Sequence, residues 1–208
     1  MANYCSNSIH LSGKKKLIAK LWHIVKNCTL SKNKSVQNLL RVHGYTSAKA
    51  ETLADGRDWI MDVDTKIHKG ANGEYHFNVY TETAWSPHME PWFDLIKKKY
   101  DNAIRLLYIS EECGMEIYQT NDKNAEVWKD KYLIDYRLDF DSSCEYFESK
   151  EELIKYVEEV FDVSVSKEAT NEEIGQAVLN RFNVKEKSDY YCNVFEFEFD
   201  DDYYANAA

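Results

Sequence analysis

Two alternating segments joined by a glycine-rich tetrapeptide restrict the fold of this chain more than any other feature. Residues 57–69 and 74–83 alternate apolar and polar side chains, and Gly70-Ala71-Asn72-Gly73 lies between them, a pattern that predicts a β-hairpin. A two-residue loop would put the apolar residues of the two strands on opposite faces. We therefore predict a three-residue loop, 71–73, with Gly73 left-handed. This loop places the following residues on one face: Trp59, Met61, Val63, Ile67, Phe77 and Val79.

A strand and an amphipathic helix begin the chain. Residues 3–11 have a period of two and end before Gly13, which predicts a first strand. Asn7 shares the apolar face of this strand, where an amide must be hydrogen-bonded, so we expect it to have a structural role. The apolar residues of 14–26 recur at helical spacing and predict a helix with one buried stripe.

Further helical segments separate this first helix from the hairpin. Ser31 is placed to cap a second short helix, which Gly44 ends. Residues 46–54 are expected to add another turn or two. Together they predict a helical insert at about residues 28–56.

The segment after the hairpin returns to a helix and two strands. Pro87 and Pro91 introduce the helix, and residues 103–110 and 115–120 have the composition of short strands. The order of these elements predicts an α+β fold, specifically a ferredoxin-like antiparallel sheet with helices on one face. We assign residues 1–125 to this core.

The remaining residues, 126–208, predict a βααβ extension. Residues 131–141 alternate large apolar side chains with charged ones, and residues 191–200 alternate phenylalanine with acids. Two capping boxes, Ser149-x-x-Glu152 and Thr170-x-x-Glu173, mark helix starts between these strands. The extension either forms a separate acidic unit or continues the core as one domain.

Charge is divided unequally between the two halves of the chain. Residues 1–100 contain 15 Lys and Arg against 9 Asp and Glu, net +6, whereas residues 101–208 contain 11 against 27, net −16. A field of this size bears on partners and solubility rather than on the fold. Hydrophobic residues make up 44% of the chain, which favours a folded core over a disordered class.

Targeting and redox features favour the cytoplasm. The first residues lack the basic and then apolar pattern of a signal peptide, and no apolar run reaches the length of a membrane span. The five cysteines are an odd number without a CxxC pair, which favours buried free thiols over a disulfide framework or a zinc module. We expect a cytoplasmic protein without a membrane segment.

No group of residues predicts catalysis. The sequence contains no GxSxG, no glycine-rich phosphate loop and no local cysteine signature, and its six histidines are scattered. His68 and His76 lie on opposite strands of the hairpin, but we do not expect them to be directly across from each other. We therefore predict a protein that is not an enzyme and that has no cofactor and no metal site.

Two stretches within residues 3–120 resemble a known family. Asn3-Tyr4-Cys5-Ser6-Asn7, followed by the alternating strand and Gly13, resembles the opening of YubB-like ferredoxin-like proteins of phages and plasmids. Thr83-Ala84-Trp85-Ser86-Pro87, a helix, a strand and then Glu112-Cys113-Gly114-Met115 are similar to the middle of that family. The resemblance implies a mobile-element accessory protein of undefined activity, and it carries over no catalytic residues.

Binding of single-stranded nucleic acid is one hypothesis for the function. Ferredoxin-like sheets occur in RNA-recognition modules, and Tyr75, Phe77 and Tyr80 stand on a central strand. Lysines at 14–16 and 97–99 add local positive charge. The net charge of −16 in the second half opposes a phosphate backbone, so this module is the alternative rather than the leading hypothesis.

The acidic residues of the second half carry the leading hypothesis. If strands 131–141 and 191–200 are neighbours, their carboxylates would repel each other, at a cost of roughly a few tenths of a kcal/mol per pair. A surface that costs stability suggests a function. The acids that we assign to a partner-binding face are Asp139, Asp141, Glu145, Glu148, Glu151, Glu152, Glu196, Glu198, Asp200, Asp201 and Asp202.

This acidic face would imitate the charge of a nucleic acid. Its expected partner is a basic nucleic-acid-handling host protein, such as a CRISPR effector or a restriction nuclease, and complementary charge would accelerate their encounter. Aromatic residues that become buried in the contact, such as Tyr146, Phe147, Tyr203 or Tyr204, could anchor it. The chain would then be a non-enzymatic phage or plasmid inhibitor that acts in the host cytoplasm and does not itself bind nucleic acid.

Overall fold

The structure, a computed structural model of the chain, is that of an α+β protein. It describes residues 3–138, 141–182 and 189–200, with Asp141 described by its backbone alone. These ranges contain six α-helices and ten short or medium strands. None of the helices within them is long and apolar enough to cross a lipid bilayer.

The chain divides into two compact units. The first comprises Met1–Val127 and Phe199–Ala208, and the second comprises Trp128–Glu198. The strands, in chain order, are β1 Tyr4–Gly13, β2 Trp59–Val63, β3 His68–Lys69, β4 Tyr75–Ala84, β5 Ile104–Glu112, β6 Ile117–Thr120, β7 Tyr132–Leu138, β8 Asp141–Phe147, β9 Tyr191–Glu196 and β10 Glu198–Phe199. The helices are α1 Lys15–Leu30, α2 Val36–Val42, α3 Ser47–Leu53, α4 Glu90–Tyr100, α5 Lys150–Phe161 and α6 Asn171–Arg181.

The sheet of the first unit has the strand order β10-β6-β5-β1-β4-β2, with β3 beside β4. Each strand pair with a described register in this sheet is antiparallel. The first predicted strand is confirmed as β1, which lies at the centre of the sheet between β4 and β5. The sequence therefore predicted the fold class correctly, as α+β with a mostly antiparallel sheet.

Side chains that point alternately to the two faces of the central strands build the core of the first unit. Ile9 and Leu11 of β1 lie opposite Val79 and Phe77 of β4, and all four side chains are fully buried. We call this the core face of the sheet; apolar residues of α1, α2, α3 and α4 pack against it. The opposite face, which carries the even-numbered residues of β1 and their cross-strand neighbours, is called the outer face.

The predicted helical insert folds as two short helices. Ser35 caps α2, because its hydroxyl accepts a hydrogen bond from the amide of Asn38 at 3.2 Å. Ser31 was predicted as this cap, and that prediction is wrong. Its hydroxyl instead donates to the carbonyl of Cys28 at 2.8 Å, because α1 continues about one turn beyond its predicted end. Thr46 caps α3.

The hairpin has the predicted three-residue loop. Gly73 has a φ of 86°, and the amide of Gly70 donates to the carbonyl of Glu74 at 2.7 Å. A left-handed residue at this position is the usual closure of such a loop and favours glycine. Val63 and Val79 share the core face, as predicted, and the register places them opposite each other.

A β-bulge changes which residues of β2 face the core. The register shifts between Ile60 and Asp62, so that Ile60 is fully buried. Trp59 lies opposite Glu82 and is 37% exposed, and Met61 is 48% exposed. The prediction that Trp59 and Met61 share the core face is therefore wrong, because the extra residue of a bulge reverses the alternation before it.

Asn7 holds a buried polar network at one end of the core face. Its amide nitrogen donates to the hydroxyl of Thr83 at 3.1 Å and to the carbonyl of Cys5 at 3.1 Å. Its amide oxygen accepts from the hydroxyl of Ser110 at 2.7 Å. The expected structural role of Asn7 is confirmed, because the side chain links β1 to both neighbouring strands.

Replacing Asn7 with leucine is expected to lower the free energy of unfolding by about 2 kcal/mol, since the buried Ser110 hydroxyl loses its acceptor and the bonds from the Asn7 amide to Thr83 and Cys5 are removed. The Thr83 hydroxyl keeps its bond to the carbonyl of Ser86 at 2.8 Å. Ser8→Ala on the outer face of the same strand is the matched control and is expected to change stability by less than about 0.5 kcal/mol. Urea unfolding followed by circular dichroism measures both. Equal midpoints for the two variants would contradict the role of the network.

The second unit has a three-stranded antiparallel sheet of order β8-β7-β9. Helices α5 and α6 pack on one face of this sheet, and the buried residues include Ile134, Leu153, Val157, Ile174 and Val178. The predicted βααβ extension lacked β8, so the observed order is ββααβ. Because β8 is an edge strand, it can fold without the continuous apolar alternation that would have marked it in the sequence.

The two predicted capping boxes differ in the structure. Thr170 and Glu173 form the complete reciprocal box at the start of α6. At the start of α5, the Ser149 hydroxyl accepts from the amide of Glu152 at 3.3 Å, but the Glu152 carboxylate accepts from the amide of Glu148 instead. The second box is therefore confirmed, and the first is present only in its Ser149 half.

Candidate interaction surfaces

The eleven acidic residues of the predicted partner-binding face are divided between the two units. Asp139, Asp201 and Asp202 lie outside the described residues, and Asp141 lies in β8 with only its backbone described. Of the other seven, Asp200 belongs to the first unit and six belong to the second. These six are Glu145, Glu148, Glu151, Glu152, Glu196 and Glu198.

Asp200 has a structural role in the first unit. Its Oδ2 accepts a hydrogen bond from the Tyr108 hydroxyl at 2.5 Å, and its amide donates to the carbonyl of Thr120 at 2.8 Å. The Tyr108 side chain is fully buried. A substitution at Asp200 would therefore disturb the fold as well as any binding, which makes it unsuitable as a test of the acidic face.

Four of the predicted acids come together at one end of the second unit. Glu148, Glu151 and Glu152 lie just after β8 and in the first turn of α5, and Glu196 ends β9. Tyr132 of β7 lies opposite Glu196. Burial raises the pKa of Tyr132, and the charges of Glu196 and Glu151 raise it further, so both carboxylates lie near its hydroxyl. We call Glu148, Glu151, Glu152 and Glu196 the acidic end.

The acidic end is tolerated for local reasons and still presents negative charge to solvent. Glu151 and Glu152 lie in the first turn of α5, where the helix macrodipole favours acids. Lys129 Nζ is 3.8 Å from Glu148 Oε1, and both side chains are more than half exposed. An exposed pair of this kind contributes about 0–1 kcal/mol. It leaves most of the charge of the four carboxylates uncompensated.

The strand acids whose side chains are described do not face one another across β7, β8 and β9. The two predicted strands are indeed neighbours, but the register places Asp135 opposite Asn193 and Cys144. Glu145 lies opposite Ile134 and accepts a hydrogen bond from the Ser143 hydroxyl at 2.5 Å. The expected repulsion between facing carboxylates is therefore wrong for these pairs, because the register pairs each acid with an uncharged residue.

The aromatic residues of β4 do not form a common platform for bases. Phe77 is fully buried in the core, and Tyr75 packs against the same core. Tyr80 lies on the outer face and is 42% exposed. Tyr75 and Phe77 therefore cannot stack together with Tyr80 on one strand of nucleic acid, because even and odd residues of a strand face opposite ways.

Three histidine rings lie close together on the outer face near the hairpin loop. His68 and His76 are directly paired, contrary to the prediction, because a loop of residues 71–73 brings 68 and 76 opposite each other. Their ring centroids are 5.6 Å apart, and the His10 ring is 4.9 Å from that of His76. Burial lowers the pKa of His10. In the described ranges, no group of three or more His, Cys, Asp or Glu residues is arranged to hold a metal ion.

An ion pair that the sequence did not suggest joins the start of β2 to the turn before α4. His88 Nδ1 is 2.7 Å from Asp58 Oδ2, and the Asp58 side chain is 2% exposed. The same oxygen accepts a hydrogen bond from the amide of Asp55 at 2.9 Å. The hydrogen bond to Asp58 raises the pKa of His88. The partners are 30 positions apart in the sequence, which explains why no local pattern revealed the pair.

The five cysteines are free thiols of two kinds. Cys5, Cys28 and Cys192 are buried, as predicted, whereas Cys113 and Cys144 are exposed. Burial raises the pKa of Cys5 and of Cys192 to about 12. These two thiols are therefore protonated at neutral pH and are poor nucleophiles.

Comparison with known proteins adds no relative. No protein-family model, no curated protein and no solved structure matches this chain. The case for a function therefore depends on the charges and geometry of the two units.

Proposed function

We propose that the protein is a non-enzymatic binding protein whose second unit binds a basic surface of a nucleic-acid-handling host protein. One observation carries the proposal: residues 128–198 contain 18 Asp and Glu against 9 Lys and Arg, net −9, whereas the first unit has 18 against 17, net −1. The charge asymmetry thus follows the division into units. The acidic end supplies a patch within the second unit from which contact with a cationic channel would begin.

The proposed biological setting comes from the resemblance to YubB-like proteins. It makes the protein a phage- or plasmid-encoded inhibitor in the host cytoplasm, with a CRISPR effector or a restriction nuclease as the partner. We also propose a ferredoxin-like arrangement for the first unit. The order β5-β1-β4-β2, with α1 following β1 and α4 following β4, supports this arrangement.

Neutralising the acidic end should abolish capture of the partner. The full-length protein, immobilised on beads, is expected to retain basic nucleic-acid-handling proteins from host lysate at low salt and to release them at high salt. The variant Glu148→Gln, Glu151→Gln, Glu152→Gln and Glu196→Gln is expected to lose most of this capture. Mass spectrometry of the eluted proteins, with and without added competitor DNA, measures the effect.

A matched control separates the acidic end from acidity in general. Glu158→Gln, Glu159→Gln, Glu168→Gln and Glu172→Gln remove the same number of exposed carboxylates from elsewhere in the second unit. This control is expected to keep most of the capture. If both variants lose capture equally, net charge and not the acidic end is responsible. If both variants retain capture equally, the proposal is contradicted.

Binding of single-stranded nucleic acid is the second candidate function. One observation still favours it, the exposure of Tyr80 on the outer face of the sheet. The burial of Phe77 and the nearby carboxylates of Asp62 and Glu82 oppose it. A low-salt gel-shift titration with labelled single-stranded DNA and RNA tests it, and we expect no shift.

A further inference from the structure

Exposed aromatic side chains lie on the outer face of the first unit's sheet. Tyr80 of β4 is opposite Ser8 of β1, and Glu82, the next residue of β4 on this face, is opposite Trp59 of β2. Tyr4, Trp59 and Tyr80 are 50%, 37% and 42% exposed. Large rings that remain this exposed on a paired sheet offer a contact surface rather than core packing.

Carboxylates accompany these rings. Asp62 is opposite Tyr80, and Glu82 is in the same cross-strand row as Trp59. Burial raises the pKa of Tyr80, and the charges of Asp64 and Asp62 raise it further, so both acids lie near its phenol. The Glu82 side chain has no hydrogen bond or ion pair with another described residue. At least one of these carboxylates is therefore available to an external cation.

No lysine or arginine occupies the described outer-face positions of β2 and β4 beside Trp59 and Tyr80. From Tyr4 to His10, the outer-face positions of β1, β4 and β2 hold aromatic, small, amide, histidine and acidic residues, and the exposed Met61 lies at the bulge of β2. Arg57 precedes β2 and lies near Tyr4, at the edge of the patch away from Tyr80, where its Nε is 3.3 Å from Oδ1 of Asp55. The patch therefore combines aromatic faces with net negative charge.

This combination selects a guanidinium group. A cation over the face of a tryptophan or tyrosine ring gains about 0.5–2 kcal/mol, and arginine is better suited to this than lysine because it is planar and less strongly hydrated. A neighbouring carboxylate can accept the guanidinium N–H groups in a paired, charge-assisted contact. The same carboxylates repel phosphate, which opposes a nucleic acid as the occupant.

The spacing of the patch suits an extended segment. Tyr80 and Glu82 are two residues apart on one strand, a separation of about 7 Å. Alternate side chains of an extended peptide have the same spacing. A segment with arginine at alternate positions could therefore contact a ring and a carboxylate with successive arginines.

We propose that the outer face around Trp59, Tyr80 and Glu82 binds an arginine-bearing segment of a partner protein. The guanidinium groups stack on the two rings and pair with Glu82 and Asp62. This site is in the first unit and does not depend on the function proposed for the acidic end of the second.

The test uses the full-length protein and two labelled peptides of about twelve residues, one alternating glycine with arginine and the other glycine with lysine. Fluorescence anisotropy at low salt is expected to give about fivefold tighter binding of the arginine peptide. Trp59→Ala is expected to weaken its binding roughly tenfold and to remove the preference over lysine. Glu82→Gln, which keeps the side-chain shape, is expected to weaken it about fivefold.

Matched controls separate this site from general acidity. Tyr191→Ala removes an aromatic ring that is also 37% exposed, and Glu158→Gln removes an exposed acid of α5. Both are expected to leave the arginine preference unchanged, as is the variant with four substitutions at the acidic end. Circular dichroism confirms folding, and Glu82→Gln serves as the test if Trp59→Ala does not fold.

Three results would overturn the proposal. The first is equal affinity for the arginine and lysine peptides, and the second is an effect of Trp59→Ala and Glu82→Gln no larger than that of the controls. The third is a different occupant: binding of labelled single-stranded DNA that Trp59→Ala abolishes, or a concentration-dependent dimer that the same variant dissociates in sedimentation. Loss of lysate capture by the acidic-end variant is a separate result and does not bear on this site.

Discussion

Gly175→Ala is expected to destabilise the second unit by about 3 kcal/mol or more, although glycine to alanine normally stabilises a helix by about 1 kcal/mol. Gly175 lies in α6, and a Cβ at this position would be 2.3 Å from the carbonyl oxygen of Cys192 in β9. The obstacle is backbone, so it cannot move aside as a flexible side chain would. Cys192 is also paired with Tyr136 of β7, so a shift of this carbonyl would disturb the centre of the sheet.

Hydrogen exchange measured by mass spectrometry provides the test, because it reports on α6 and β9 separately from the first unit. In Gly175→Ala, amides of both elements are expected to exchange faster, and the urea midpoint of the second unit is expected to fall. Gly56→Ala is the matched control, since a Cβ at Gly56 meets no atom within 4 Å. Similar stability of the two alanine variants would show that α6 does not approach β9 as closely as described.

The hairpin illustrates how far local sequence patterns determine this fold. The loop could be predicted because few residues other than glycine adopt the left-handed conformation of Gly73. The faces of Trp59 and Met61 could not be predicted, since a bulge between Ile60 and Asp62 adds one residue to the alternation. A bulge depends on the pairing of β2 with β4, and neither strand contains a local signal for it.

The acidic face likewise shows that local sequence patterns predict only part of a binding site. Composition revealed the excess of acids in the second half, and the division into units places most of that excess in residues 128–198. The register of β7 with β9 then pairs Glu196 with Tyr132, so this acid of β9 does not face a carboxylate of β7. The aromatic patch around Trp59 and Tyr80 was also missed, because it depends on the same bulge. Only cross-strand pairing, which is non-local, decides which charged and aromatic residues meet.

His88→Ala is expected to lower the free energy of unfolding of the first unit by about 2–3 kcal/mol, because it leaves the carboxylate of Asp58 buried without its cationic partner. The Asp58 side chain is 2% exposed, so water cannot replace the lost contact. The remaining hydrogen bond from the amide of Asp55 limits the loss. Asp58→Asn keeps the shape of the side chain and removes the charge, and it is expected to cost less than His88→Ala.

The pair also predicts a dependence of stability on pH. The folded protein raises the pKa of His88 above its ordinary value of 6.5, so the stabilisation is fully present below pH 6.5 and is lost as the pH rises through the raised pKa. Burial lowers the pKa of His10 and of His43. These two residues therefore affect stability below pH 6.5, where the free energy of unfolding decreases as the pH falls. The two effects occupy different pH ranges and can be measured separately.

Urea unfolding at a series of pH values from 6.5 upward tests this expectation. The wild-type protein is expected to lose stability over the first part of this range, while His88→Gln and Asp58→Asn are expected to show a flatter dependence because neither retains the charged pair. His23→Gln removes an exposed histidine of α1 and is expected to keep the wild-type slope. If His88→Gln keeps the full wild-type slope, the pair does not carry the dependence, and the ion pair between Asp58 and His88 is not a determinant of stability in this range.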